Sequence, residues 1–220
     1  MPFFLQVIHL LAALMLLLAF AMLTERRILQ LTRLYALQGL LLCLMSALIA
    51  HDVRQPELYG SALLTLLTKV LLIPHLLKRL MLKLRVRWDT EMLVNIPTTL
   101  LMGLGLVIIA FYLARPLMPL TLGVAGQGLG IALACILLSL LMMIVRTRAL
   151  SQVVGFLAME NALMFAAIVT ANGMPMVVEL GMALDVLMGL SILGIFLFQI
   201  REQFESLDIR HLEILKEKQH

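Results

Sequence analysis

Charged residues are scarce in this chain. Of its 220 residues, 14% are charged and 62% are hydrophobic, whereas about 25% of the residues of an average soluble protein are charged. The apolar residues fall in runs of about 20, which is the length of α-helix that crosses roughly 30 Å of hydrocarbon. This composition argues against an ordinary soluble domain and predicts an all-α, polytopic membrane protein.

Residues for catalysis and metal binding are also few. The two cysteines, Cys43 and Cys135, stand alone in apolar runs, and the sequence has no CxxC motif. Iron–sulfur ligation by this chain is therefore not expected. The sequence also has no nucleophile–base–acid set, metal motif or nucleotide fingerprint. We expect no catalytic residue, no metal and no cofactor in this chain, and no enzymatic activity of the chain by itself.

Hydropathy predicts seven transmembrane helices. Their predicted ranges are about 3–23, 31–50, 58–81, 93–114, 120–145, 149–171 and 176–199. The first run lacks a basic region and a cleavage site of small residues, so we interpret it as a retained span. We divide the chain into a four-helix part (1–115), a three-helix part (116–199) and a mixed-charge tail (200–220).

Lysine and arginine are distributed unevenly between the two sides of the predicted helices. Fourteen of them fall in the tail, or in connections and adjacent helix ends that alternation places on the tail's side, and only Arg54 and Arg115 fall on the other side. The positive-inside rule then predicts that the N-terminus lies outside and that the tail is cytoplasmic. The basic stretch 78–87 is expected to set topology and to contact anionic lipid, and we expect no nucleic-acid binding.

A few ionisable residues interrupt the predicted spans. Lys69 lies at the midpoint of the third helix, Glu160 at the midpoint of the sixth, and Asp185 slightly outside the midpoint of the seventh, with Glu179 nearer the outer surface. A charge at the bilayer centre costs roughly 2.5–3.5 kcal/mol on insertion scales. Each of these groups is therefore expected to face protein or water, and Lys69 is expected to pair with Glu160 or Asp185.

Two roles for these charges are open from the residues alone. A buried ion pair can fix helix packing without taking part in chemistry. Alternatively, Lys69, Glu160 and Asp185 form a proton relay, since buried amines and carboxylates can change charge state whereas arginine stays protonated. Possible supporting residues are Glu179, His75 and Asn161. Glycines at the start of the fifth helix, including Gly128 and Gly130, predict a close helix contact.

Three segments carry a resemblance to a known family. They are RTRALSQVVGFLAMENALMFAA, VVELGMALDVLMGLSILGIFL and ESLDIRHLEILKE, and LLTKVLLIP around Lys69 adds a fourth. Together they resemble component E of hydrogenase-4-type membrane-bound hydrogenase complexes over most of the chain. The most specific matches are the triplets Met159-Glu160-Asn161, Thr68-Lys69-Val70 and Leu207-Asp208-Ile209.

The last three helices are also similar to subunit K of complex I and to the matching subunit of multisubunit sodium/proton antiporters. Asp185 falls where that family has its second acid. The first acid of that family is replaced here by Leu157, and Glu160 follows three residues later, about one helical turn along.

The resemblance implies a membrane subunit that carries none of the redox chemistry. Its expected partners are antiporter-like membrane subunits, hydrogenase large and small subunits and iron–sulfur proteins, in the cell (inner) membrane. Nickel–iron and iron–sulfur centres would lie in those partners. The expected function is proton or cation translocation coupled to electron transfer. The alternatives are a structural membrane scaffold and a subunit of a multisubunit sodium/proton antiporter.

Overall fold

The described part of the chain is built from helices. The computed structural model describes residues 3–53, 63, 65–83, 93–116 and 125–170. The elements are α1 (Phe3–Thr24), α2 (Ile28–Val53), a π-helical segment (Leu66–Leu72), α3 (Ile73–Lys83), α4 (Ile96–Ala114), α5 (Ala125–Val145) and α6 (Ala149–Thr170). The five longest, α1, α2, α4, α5 and α6, are long and apolar enough to cross a membrane.

These five helices match five of the predicted spans, with ends that differ by a few residues. The agreement follows from the apolar runs, because a helix satisfies every backbone hydrogen bond within its own segment, as hydrocarbon requires. At the start of α4, Pro97 sits in the first turn, where its missing N–H is not needed. The predicted helix over 176–199 and the tail over 200–220 lie outside the described residues.

The third predicted span is not a uniform α-helix. Leu66–Leu72 is π-helical, and the Ile73 N–H at its end donates to the Thr68 carbonyl, five residues back. The next residue is Pro74, which has no N–H to donate to Val70 and whose ring crowds that carbonyl in a regular α-helix. Lys69 therefore lies in a local irregularity that hydropathy cannot detect.

The α5 helix lies at the centre of one group of contacts. It packs most extensively against α6 and also contacts α4 and α1. A Cβ added at Gly128 would clash with Val169 of α6, and one added at Gly130 would meet Phe111 of α4. The predicted close contact is therefore confirmed at these two glycines.

A second group of contacts surrounds α2. This helix packs against α1, α6, the π-helical segment and α3. The π-helical segment therefore lies beside α2. The α6 helix contacts both α2 and α5, so it belongs to both groups of contacts. In contrast, α4 exposes most of its large apolar side chains, including Leu101, Ile108 and Tyr112.

At one end of the bundle, a buried arginine connects the end of α5 to the end of α1. Arg146 follows α5 directly, and its Nη2 donates to the carbonyl oxygens of Met22, Leu23 and Glu25 at the end of α1. These carbonyls have no partner within the helix, and a cation there also complements the helix dipole. The Leu93 N–H, just before α4, donates to the Val145 carbonyl. The end of α1, the end of α5 and the start of α4 therefore meet at one end of the bundle.

Candidate functional site

A buried ion pair joins the π-helical segment to α6. Lys69 Nζ lies 2.7 Å from Glu160 Oε1, and the two side chains are 0% and 3% exposed. The two residues are 91 positions apart in the sequence, so only helix packing brings them together. The predicted pairing of Lys69 with one of the central acids is thus observed, and Glu160 is the partner. Its use in proton movement stays a prediction.

The pair lies at the middle of α6. Glu160 is eleven residues from the start of this helix at Ala149 and ten from its end at Thr170. At a rise of about 1.5 Å per residue, either end is about 15 Å away. In a helix that crosses a bilayer, this position corresponds to the centre of the hydrocarbon, where an unpaired charge is most costly.

The contact between Lys69 and Glu160 is that of a strong hydrogen bond. Charge-assisted N–H···O bonds have lengths of about 2.7–2.9 Å. Transfer of one proton from Lys69 Nζ to Glu160 Oε1 along this bond would convert two charges into two neutral groups without moving the backbone. The arrangement can therefore exist as an ion pair or as a neutral amine–acid pair, and a charge approaching from outside would shift the balance between the two forms.

Gly39 of α2 allows this geometry. A Cβ added at Gly39 would lie 3.1 Å from the Cβ of Lys69 and 3.7 Å from a methyl carbon of Val70. Such spacing is tight, so the α2 backbone approaches the π-helical segment where Lys69 leaves it. Gly39 and the π turn together fix the starting point of the Lys69 side chain, and Glu160 fixes its end.

Two buried amides lie next to the residues that contact Lys69. Gln38 precedes Gly39, Asn161 follows Glu160, and both side chains are 0% exposed. Within the part of the chain that the structure describes, neither the oxygen nor the nitrogen of either amide has a hydrogen-bond partner. Buried polar atoms in proteins nearly always have one.

The other predicted site residues have three different outcomes. Asn161 is buried directly beside Glu160 in the sequence. His75 is exposed, six residues beyond Lys69 on α3. Asp185 and Glu179 lie outside the described residues, so the structure brings together Lys69 and Glu160, with Asn161 adjacent.

Sequence reasoning missed three residues of functional or structural weight. Gln38 and Gly39 are unremarkable in a hydropathy profile, although a polar residue near the middle of an apolar helix was an available signal for Gln38. Arg146 is predicted to end a helix and to be one of the fourteen basic residues on the tail's side, but it is 2% exposed. Burial lowers the pKa of its guanidinium to about 10, although the negative charge of Glu25 acts to raise that pKa. The group is therefore still cationic at neutral pH.

These features define a class of protein. It is a helical protein with at least five helices that can cross a membrane, and its charged pair is buried at mid-helix. The chain is 31% identical over 186 residues, 84% of each chain, to "Uncharacterized protein Rv0085" of Mycobacterium tuberculosis (strain ATCC 25618 / H37Rv). It belongs to the same family as that protein. No protein-family model matches the chain, and no solved structure matches it.

Proposed function

We propose that this chain is an integral membrane subunit of a hydrogenase-4-type, complex I-like complex. In this role it contributes buried charges to the translocation of protons, or of another cation, coupled to electron transfer. The observation that carries the proposal is the buried pair of Lys69 and Glu160 at the middle of α6. The sequence resemblance to component E, which includes both residues, connects the pair to such a complex.

The proposed mechanism uses the two states of the pair. Electron flow in the partner subunits, which would hold the nickel–iron and iron–sulfur centres, shifts a charge near this chain. A buried pair responds strongly to such a shift because the low dielectric screens it weakly. Lys69 and Glu160 then exchange a proton, and Asp185 receives or supplies it as the third member of the relay. The antiporter-like subunits would carry the ion onward.

We further propose seven spans in the cell (inner) membrane, with the N-terminus outside and the tail in the cytoplasm. The contacts of Arg146 with α1 and of Leu93 with Val145 support this sorting, since they gather the ends of α1 and α5 and the start of α4 at one end. Arg115 follows α4, which starts at that end and is 19 residues long. At about 1.5 Å per residue this places Arg115 about 28 Å away, toward the other side.

A structural scaffold is the second candidate. It is favoured by the direct hydrogen bond between Lys69 and Glu160, because this bond links two helical elements that are distant in the sequence. A scaffold needs the pair only to hold the helices together, whereas a relay needs groups that can bind and release a proton. Replacing both residues by apolar side chains of similar volume could therefore preserve a scaffold, but it would abolish a relay.

The test is made in the assembled complex. Lys69→Met, Glu160→Met and the double variant are compared with Lys78→Met, which removes an exposed lysine from the same stretch. Assembly is measured on native gels, and electron transfer and ion movement are measured in membrane vesicles. A relay predicts that the double variant assembles but loses ion movement relative to electron transfer. Full coupled ion movement in an assembled double variant would exclude the relay and favour the scaffold.

The neighbouring genes distinguish a sodium/proton antiporter subunit from a subunit of the proposed hydrogenase-type complex. Nickel–iron hydrogenase and iron–sulfur proteins encoded beside this chain would support the proposed complex. Antiporter subunits without any hydrogenase subunit would instead favour a sodium/proton antiporter.

A further inference from the structure

The buried amides of Gln38 and Asn161 are the strongest unexplained feature of the described structure. An amide that is fully desolvated without a partner costs about 1–3 kcal/mol. Each of these side chains has two polar atoms without a partner among the described residues. A membrane helix has abundant apolar substitutes for glutamine and asparagine, so this cost requires an explanation.

The two amides lie on the two helices that contact each other around the ion pair. Gln38 adjoins Gly39, whose backbone lies against Lys69, and Asn161 adjoins Glu160, which bonds to Lys69. The helices α2 and α6 that carry them are in contact. Both amides therefore belong to the same part of the bundle as the ion pair.

The chemistry of the amides identifies the ligand. Each amide has one acceptor oxygen and an NH₂ donor, so the ligand must both donate and accept hydrogen bonds. Water does so and makes about three such bonds when buried in proteins. A metal cation would use only the amide oxygens, and an anion would use only the amide nitrogens. Either ion would therefore leave half of each amide without a partner.

We propose that Gln38 and Asn161 hold bound water beside the Lys69–Glu160 pair. The water makes hydrogen bonds to the amides and lies close enough to the carboxylate to exchange a proton with it. This use of the water in proton transfer rests on the proposed function, whereas the water site itself does not.

The site is tested on the full chain in lipid nanodiscs by radiolytic labelling. X-ray pulses generate hydroxyl radicals from bound water, and these oxidise neighbouring methionines. Met164 lies one turn beyond Asn161 on α6, and Met15 on α1 is also buried. We expect Met164 to be oxidised several-fold faster than Met15, and Asn161→Leu to remove most of that difference. Equal rates in the wild-type chain, or a difference that survives Asn161→Leu, would overturn the proposal.

Thermal unfolding provides a second readout. In a dry site, Gln38→Met and Asn161→Leu remove an unpaired polar group and raise the melting temperature. In a hydrated site, they strand the bound water and lower it. Met45→Leu, a swap of similar volume two turns along α2, is the packing control. We expect both variants to melt below this control, and a melting temperature above that of the wild-type chain would contradict the water site. Because this experiment uses no complex and no ion flux, its failure is distinct from failure of the relay.

Discussion

At the scale of the residue, the stability of this protein depends on partners for its buried charges. Lys69 is completely buried and bonded to Glu160, so neutralising one member removes a buried, oppositely charged partner from the other. Removing one partner of a buried pair costs about 3–5 kcal/mol, whereas replacing both is often nearly neutral. The asymmetry between single and double substitution is therefore the signature of the pair.

We predict that Lys69→Met lowers the free energy of unfolding by about 3–5 kcal/mol. The double variant Lys69→Met/Glu160→Met should recover most of this loss, because apolar side chains of similar volume then replace both charges. Lys78→Met should change stability by less than about 1 kcal/mol, since its side chain is exposed. Denaturant unfolding of the purified chain measures all three. Equal losses for Lys69→Met and Lys78→Met would contradict the buried pair.

Arg146 gives a second prediction at this scale. Arg146→Gln removes the hydrogen bonds to the end of α1, and bonds to charged groups are worth about 1.5–3 kcal/mol each. We expect a loss of at least that size in the free energy of unfolding. Arg27→Gln removes the same charge at the same end of the bundle from an exposed position. It serves as the control and should cost less than about 1 kcal/mol. A loss as large for Arg27→Gln would show that charge, and not the buried contact, matters.

At the scale of the element, the site depends on the π-helical segment, which lies beside the regular α-helix α2. The π turn before Pro74 sets the direction of Lys69, and Gly39 lets α2 come close to it. Short π-helical segments inside helices often occur at functional sites. Here the segment holds a charged residue at a position where a regular α-helix would rotate it differently. The two elements act together, since neither the π turn nor the glycine alone fixes the distance to Glu160.

The prediction at this scale compares two glycines in apolar helices. Gly39→Ala places a methyl group 3.1 Å from the Lys69 Cβ, and overpacking of this kind costs about 1–3 kcal/mol. Gly105→Ala of α4 meets nothing within 4 Å, so it should be neutral or stabilise the helix by up to about 1 kcal/mol. Thermal unfolding of both variants measures the contrast. A gain in stability for Gly39→Ala as large as that for Gly105→Ala would contradict a tight contact between α2 and Lys69.

At the scale of the whole molecule, the proposed orientation depends on the sorting of basic residues between the two ends. The described helices gather the ends of α1 and α5 together, through Arg146. Basic residues at one end oppose translocation of that end across the membrane. The proposed topology therefore follows from the bundle as a unit and not from any single helix.

We predict the sidedness of two exposed positions. In a chain with Cys43→Ala and Cys135→Ala, a single cysteine at position 115 should react with a membrane-impermeant maleimide on intact cells. A single cysteine at position 26 should react only after the membrane is opened. Both native residues, Arg26 and Arg115, are exposed. The reverse pattern would invert the proposed orientation, and reaction of both on intact cells would break the proposed alternation.

Much of the fold was predictable because it depends on local composition. The apolar runs predicted five helices to within a few residues, since a span must be long and apolar wherever it lies in the bundle. The same reasoning identified Lys69 and Glu160 as charges that need partners. It did not identify the π turn, since hydropathy averages over a window and is blind to the pattern of backbone hydrogen bonds.

The sequence by itself determined a helical, span-forming chain and the charges that had to be buried, because the transfer of side chains from water to an apolar medium is nearly independent of neighbours. Only the tertiary structure decided that Glu160 reaches Lys69, that Gly39 makes room for it and that Gln38 and Arg146 are buried. Those outcomes depend on how each helix is rotated and on which residues, far apart in the sequence, it meets. Rotation and contact are set by side-chain packing across the bundle, which no local pattern specifies.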